Sequence, residues 1–169
     1  MNTIPTPQYN WNDIETILPT LPRFRMVSPK MLGLAECGDQ QVIVREADKP
    51  DEAPALSAVV SGKYKLLQHA EVLHGATEWT RKSLGVDKPK VHVSLADYGR
   101  RAEFHIGLAP ISNFAPDGFP IQLNMVCSNS VDGQSSFRMG LRWLRLVCSN
   151  GMMAGVSLAS SRAHRRGLG

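Results

Sequence analysis

The sequence has little cysteine and no long apolar run, and both features narrow the class of protein. Only 3 of its 169 residues are Cys, too few for the disulfide framework of a small secreted domain. No apolar stretch approaches the roughly 20 residues that a membrane-spanning helix requires. The N-terminus lacks the basic segment followed by an apolar segment that marks a signal peptide. These absences predict a soluble, cytoplasmic protein without a membrane partner.

The sequence also lacks the patterns that enzymes and metalloproteins carry. Cys37, Cys127 and Cys148 are far from one another and from any His, which excludes a zinc motif and favours small buried side chains. No Gly-rich phosphate loop and no Gly-x-Ser-x-Gly elbow is present. The repeated Cys-Ser-Asn at 127–129 and 148–150 is typical of turns. We therefore expect no catalytic residue and no cofactor.

Acidic residues are scarce in the second half of the chain. Residues 1–60 hold 5 basic and 8 acidic groups, whereas residues 61–155 hold 11 basic and 7 acidic groups. The last fourteen residues hold three Arg, among them Arg165 and Arg166, and no acidic group. A basic second half favours an anionic partner, nucleic acid first, although a solubilising surface fits the same charge.

The length fits one domain over residues 1–169. A Pro-containing N-terminal arm (1–22) carries a short helix near 11–18, and residues 156–169 form a basic C-terminal tail. The composition predicts short strands at 24–28, 31–36, 41–46 and 55–60.

The one long helix is predicted over 68–84, with Gly85 ending it. One face is apolar at helical spacing, and it consists of His69, Val72, Leu73, Ala76, Trp79, Thr80 and Leu84. We expect Trp79 to be buried between this helix and the sheet, because it shares the stripe with Val72, Leu73 and Ala76.

Two β-hairpins follow the helix. A tip at Tyr98-Gly99 sets Val91 opposite Ile106 and His92 opposite His105, which separates an apolar face from a polar one. In the second hairpin, a three-residue turn over 131–133 with a left-handed Gly133 separates the faces in the same way. This turn pairs the residues as follows: Ile121 with Trp143, Leu123 with Leu141, Met125 with Met139, Cys127 with Phe137, Gln122 with Arg142, Asn124 with Gly140, Val126 with Arg138, and Ser128 with Ser136. The predicted fold is α+β, an antiparallel sheet of two or more β-hairpins with the long amphipathic helix packed on one face.

Three segments, 59–65, 128–135 and 145–152, resemble a phage/plasmid-like family catalogued as domain of unknown function 932. That family carries an Asn-Ser-x-Asp-Gly-Ser-like turn and then a strand ending in Arg-Val-Val-Cys-x-Asn-Gly. The resemblance spans about residues 55–165; it departs at Gln134, which precedes the serine, and near residues 163–165, beyond which relatives continue into more helix. It implies a phage, prophage or plasmid origin and a bacterial cytoplasm. Asn129, Asp132, Gly133, Asn150 and Gly151 are interpreted as turn residues.

Four cations are predicted to share the polar sheet face: Lys90, Arg101, Arg138 and Arg142. Such a row can contact phosphates, and a solvated sheet face is the alternative. Most aromatic residues fall on apolar faces, which leaves Tyr64, Tyr98 and Phe114 in loops. His92, His105 and Glu103 form a weak metal-like or acid–base cluster, and cross-strand polar pairs on a solvated sheet are the simpler interpretation.

By analogy of fold with phage single-strand annealing proteins, we expect a non-enzymatic protein that binds single-stranded nucleic acid, alone or as a homo-oligomer. The alternative is a mobile-element effector that binds and inhibits a host defence protein, and an unrecognised enzyme is the third hypothesis.

Overall fold

Two antiparallel sheets and one long helix organise the chain in the computed structural model, which describes residues 10–36, 38–111, 121–145 and 158–162. The elements are α1 (Ile14–Ile17), β1 (Phe24–Val27), β2 (Gln40–Arg45), β3 (Ala55–Ser61), α2 (His69–Leu84), β4 (Val91–Ala96), β5 (Arg101–Ile111), β6 (Ile121–Ser130), β7 (Phe137–Arg145) and β8 (Leu158–Arg162). One sheet has the order β1-β2-β3 and the other the order β4-β5-β6-β7-β8. The α+β class is confirmed, with a second sheet in addition.

Three of the four short strands predicted before the helix are present, and the strand at 31–36 is wrong. A 3-10 helix occupies Pro29–Leu32 instead. Ser28 precedes it and accepts a hydrogen bond from the Lys30 amide, while Pro29 has the fixed φ of a first helical turn. Gly33, at φ 70, ends it in the left-handed conformation. These capping residues outweigh the β-like composition of the segment.

Helix α2 begins and ends where its capping residues require. The Gln68 and Glu71 side chains form a reciprocal capping box at the N-terminus, and Gly85 has φ 67 at the C-terminus. The buried stripe is His69, Val72, Leu73, Ala76, Thr77 and Thr80. Trp79 is 42% exposed, so the prediction of its burial is wrong. Consecutive residues of a helix point in directions about 100° apart. Thr80 lies in the buried stripe, so the side chain of Trp79 lies to one side of it.

The main core lies between α2 and the five-stranded sheet. Leu73 of α2 and Phe104 and Ile106 of β5 are fully buried there. Ile17 and Leu21 of the N-terminal arm close one side. The arm reaches this position because Asn12 and Val91 exchange backbone hydrogen bonds, both 2.8 Å long. In the described part of the chain, no helix is long and apolar enough to cross a membrane.

The first hairpin has the predicted register. Val91 pairs with Ile106, His92 with His105 and Ala96 with Arg101. The alternation of apolar and polar residues is strict in these strands, and a slip of one residue would put polar side chains on the face that α2 covers.

The register predicted for the second hairpin is wrong by two residues. Leu123 pairs with Trp143, Asn124 with Arg142 and Ser128 with Arg138. A shift of two preserves the faces, so alternation alone could not distinguish the registers. The loop is longer because Val131 is fully buried against the three-stranded sheet and its amide donates to Arg100 O at 3.0 Å. Gly133 has φ 73 as predicted.

Candidate functional site

The four predicted cations do share one face of the five-stranded sheet, which we call the polar face. Arg101 of β5 lies on the face of Glu103 and His105, and the β5–β6 and β6–β7 registers carry this face to Arg138 and Arg142. Lys90 joins it at the other end, because its carbonyl accepts from the Gly107 amide. Helix α2 covers the opposite face. The polar face therefore spans β4–β7 and carries the four cations, while two of its other side chains, His105 and Asn124, are buried.

Two of the four cations are neutralised by carboxylates. Lys90 Nζ lies 2.9 Å from both carboxylate oxygens of Asp13 in the N-terminal arm. Arg101 Nε lies 3.1 Å from Asp97 Oδ2 and 4.0 Å from Asp132 Oδ2. A cation that is already paired attracts a phosphate weakly. Lys90 and Arg101 therefore contribute less to an anion-binding surface than their position alone predicts.

Arg138 and Arg142 are the cations of this face that no carboxylate pairs within the described residues. Arg138 is exposed and Arg142 half-buried, and both lie on β7. A separation of four strand residues is about 13 Å, and it keeps both side chains on one face. Ser128 lies opposite Arg138 and adds a hydroxyl. We call the part of the polar face that carries Arg138 and Arg142 the basic strip.

The His92–His105–Glu103 cluster exists, and its geometry is that of a structural network. The two imidazole centroids are 5.9 Å apart, and His105 Nε2 donates to Glu103 Oε1 at 2.7 Å. This hydrogen bond lowers the pKa of the Glu103 carboxyl, and the charge of Arg142 acts in the same direction. Burial lowers the pKa of His92, whose Nδ1 accepts from the Asn10 amide. Among the described residues, no group of three or more His, Cys, Asp or Glu side chains is arranged so that it could hold a metal ion.

Asn129 of the sequence motif connects three parts of the fold. Its Nδ2 donates to Leu67 O at 3.0 Å and to His69 Nδ1 at 2.9 Å. His69 Nε2 in turn donates to Gly99 O at 2.8 Å. These partners define a neutral imidazole with its proton on Nε2, and burial lowers its pKa. Asn129 therefore links β6 to α2 and, through His69, to the tip of the first hairpin, which goes beyond the local turn role predicted for it.

Asp132 and Gly133 shape the turn itself. Asp132 Oδ1 accepts from the Ser130 hydroxyl and from the Gln134 amide. The Tyr64 hydroxyl donates to Ser130 O at 3.3 Å. Burial, followed by the charge of Asp132, raises the pKa of Tyr64 to about 12. Asp132 thus bonds within its own turn, and Gly133 takes the left-handed conformation there, with φ 73. The second predicted turn pair, Asn150 and Gly151, and the tail residues Arg165 and Arg166 lie outside the described residues.

The tip of the first hairpin carries features that the sequence did not reveal. Tyr98 is 88% exposed, and both Asp97 and Tyr98 have positive φ, 52° and 55°. Arg100, which we did not single out, donates to Asp97 O and Ser57 O. In the sequence, the feature that pointed to Arg100 was its position beside Gly99 in a predicted turn.

The buried Cys127 behaves as predicted for a small apolar side chain. It is fully buried, and burial raises the pKa of its thiol to about 12, so the reactive thiolate is strongly disfavoured. Cys37 and Cys148 lie outside the described residues.

Fold and site together define an α+β protein with a helix-covered sheet whose other face carries a basic strip. The chain belongs to the family described as Domain of unknown function (DUF932), whose match covers residues 56–166. This match includes α2, the five-stranded sheet and the Asn129 turn, and it confirms the resemblance found in the motifs. No curated protein and no solved structure matches the chain.

Proposed function

We propose that this protein binds single-stranded nucleic acid, without catalysis and without a cofactor, through the polar face of its five-stranded sheet. The observation that carries the proposal is the basic strip of Arg138 and Arg142. Within the described residues neither guanidinium forms an ion pair with a carboxylate, whereas Lys90 and Arg101 are paired; the charge of Arg142 also acts on the Glu103 carboxyl. A guanidinium forms bidentate hydrogen bonds with phosphate oxygens, and neutralising phosphates releases counterions.

The biological setting follows from the family resemblance. We place this binding in the bacterial cytoplasm, with a gene of phage or plasmid origin, where single strands arise during replication and recombination. Binding along a strand is commonly cooperative, and the proposal includes a homo-oligomer on a long strand.

The test compares the wild-type protein with a variant that carries Arg138→Gln and Arg142→Gln. Binding to a fluorescent single-stranded oligonucleotide is measured by anisotropy at moderate salt. We expect the double variant to bind about tenfold more weakly, because two phosphate contacts are lost. Its melting temperature should stay close to that of the wild type, since exposed substitutions usually change stability by about 0.5 kcal/mol or less.

The matched control carries Arg81→Gln and Lys82→Gln on α2. These side chains lie on the helix that covers the opposite face, and their substitution removes the same total charge. Within the described residues, their ion-pair partner is Glu78. The control should bind like the wild type. Equal weakening in both variants would show a non-specific charge effect and refute the polar face as the site. A wild type that fails to bind at low salt refutes the proposed function.

A second candidate function, binding to a host defence protein, is supported by exposed apolar side chains on β3. Leu56 is 60% exposed and Val59 54% exposed. A register shift in the β2–β3 pairing puts both on one face, opposite Val44 and Val42. Strand β3 is also at the edge of its sheet in the described part of the chain. Exposed apolar residues on an edge strand suit a protein partner.

The test for this candidate is affinity capture from nuclease-treated bacterial lysate, with the wild type and a variant that carries Leu56→Lys and Val59→Lys. A host protein captured by the wild type and lost by the variant supports the candidate. Capture by both proteins, or by neither, refutes β3 as the binding surface.

A further inference from the structure

The tip of the first hairpin holds an aromatic ring in solvent on a backbone of unfavourable conformation. Asp97 and Tyr98 have φ values of 52° and 55°, and Gly99 follows at 80°. A residue with a side chain rarely adopts this left-handed conformation, because Cβ approaches the following carbonyl oxygen. Glycine avoids this clash, yet position 98 carries a tyrosine.

The surrounding structure keeps this conformation in place. Three consecutive carbonyl oxygens of the tip each accept a hydrogen bond from a side chain: Asp97 O from Arg100 Nε at 3.1 Å, Tyr98 O from Arg45 Nη1 at 3.0 Å and Gly99 O from His69 Nε2 at 2.8 Å. These donors come from the tip itself, from β2 and from α2. The tip is therefore a rigid, preorganised element rather than a loose loop.

The Tyr98 side chain takes no part in holding the tip. All three anchoring bonds end on backbone carbonyls, and the ring is 88% exposed. Folding therefore gives no reason for an aromatic residue at a position that suits glycine. Backbone strain combined with an exposed aromatic side chain is typical of a binding contact.

The charge around Tyr98 identifies the kind of partner. The Arg100 side chain donates to two neutral carbonyls, Asp97 O and Ser57 O, and no carboxylate pairs it among the described residues. Arg100 therefore keeps its positive charge two positions from Tyr98. An exposed ring with a neighbouring guanidinium matches a nucleotide, whose base stacks on the ring and whose phosphate binds the cation.

The tip also lies at one end of the polar face. Arg101, directly after the tip, begins β5, and the register places Ser128 and Arg138 in the row next to it. A strand bound along Arg142 and Arg138 would thus continue towards Tyr98.

Resting on the proposed function, we infer that Tyr98 is the base-stacking residue that makes this surface selective for single-stranded over double-stranded nucleic acid. In a duplex the base faces are stacked on one another and cannot pack on Tyr98, whereas an unpaired base can. The phosphate contacts of Arg138 and Arg142 serve both forms, so Tyr98 supplies the discrimination.

The decisive variant is Tyr98→Gly, because a structural role and a binding role predict opposite results. Glycine relieves the left-handed strain, and we expect the melting temperature to rise by about 2–4 °C. Loss of one stacked base should weaken binding to a single-stranded oligonucleotide at least fivefold, while binding to the matching duplex stays unchanged. Tyr98→Phe keeps the ring and should bind like the wild type.

The control is Asp97→Gly, which relieves the same strain one position earlier and keeps the Tyr98 ring. It also removes the ion pair of Asp97 with Arg101, so that tighter binding through Arg101 is compatible with the inference. It should raise the melting temperature and bind single strands no more weakly than the wild type. If the wild type binds single strands and Tyr98→Gly binds them equally well, the inference is wrong and the proposed function stands. If Tyr98→Gly weakens single-strand and duplex binding equally, the selectivity is wrong. If the wild type binds neither form, the proposed function fails and this inference with it.

Discussion

The Asn129–His69 hydrogen bond gives a prediction whose magnitude depends on pH. In the wild type, Asn129 Nδ2 donates to Leu67 O and to His69 Nδ1, while Asn129 Oδ1 has no hydrogen-bond partner among the described residues. The Asn129→Asp substitution changes little in shape and replaces the donor with a carboxylate oxygen. Above pH 6.5 this oxygen faces two acceptors. We expect a loss of about 3–5 kcal/mol, from two broken hydrogen bonds and a buried charge.

At lower pH the same substitution should become less harmful. A protonated His69 carries a hydrogen on Nδ1, which can donate to the introduced carboxylate. The substitution therefore raises the pKa of His69. At acid pH, each pKa unit of this rise recovers about 1.4 kcal/mol of the free energy of unfolding that the substitution removed. In the wild type, burial lowers the pKa of His69 from 6.5. The folded state then binds fewer protons than the unfolded state, and its stability falls as the pH drops below about 6.5.

The assay is urea unfolding of both proteins at pH 8 and pH 5.5. We expect the difference between wild type and Asn129→Asp to shrink at the lower pH, and taking this difference cancels the contributions of other titrating groups. Asn129→Leu is the matched control, since it removes the same donor without adding a charge and should show no comparable recovery. A difference that is equal or larger at pH 5.5 would refute the assigned network.

Three further predictions concern stability and binding. Gly133→Val should destabilise the protein by about 1–2 kcal/mol in a urea titration, because φ is 73° there; an unchanged midpoint would contradict the left-handed turn. Trp79→Ala should cost less than Leu73→Ala, which we expect to cost about 2–5 kcal/mol, since Trp79 is 42% exposed and Leu73 fully buried; the reverse order would refute the packing. Lys90→Gln should leave oligonucleotide binding within about twofold by anisotropy, as Asp13 already pairs that charge; a tenfold loss would show that the pair opens on binding.

The sequence predicted those parts of the fold that rest on local patterns. The helix α2, the first hairpin and the left-handed Gly133 follow from periodicity, capping and turn residues, which act within a few positions. The second hairpin failed because two registers differing by two residues give identical faces. Only the burial of Val131 against the other sheet decides between them, and that contact is far away in sequence.

In the candidate site, too, features set by local pattern were predictable from the sequence, and features set by long-range contacts were not. Alternation placed Lys90, Arg101, Arg138 and Arg142 on one face, since a strand's period is fixed. The ion pair between Lys90 and Asp13 could not be predicted from the sequence, because Asp13 lies in the N-terminal arm, 77 positions away. The strained conformation of Tyr98 depends on Arg45 and His69, which no local pattern connects to it.

The salt dependence of oligonucleotide binding tests the central claim most directly. Affinity for a single strand is measured by anisotropy over a series of salt concentrations, for the wild type and for the variant with Arg138→Gln and Arg142→Gln. Each phosphate contact contributes about 0.7 to the slope of log affinity against log salt. We predict binding by the wild type that weakens steeply with salt, and a slope smaller by about 1.4 in the variant. Equal slopes in the two proteins, or no binding by the wild type at low salt, would contradict the account.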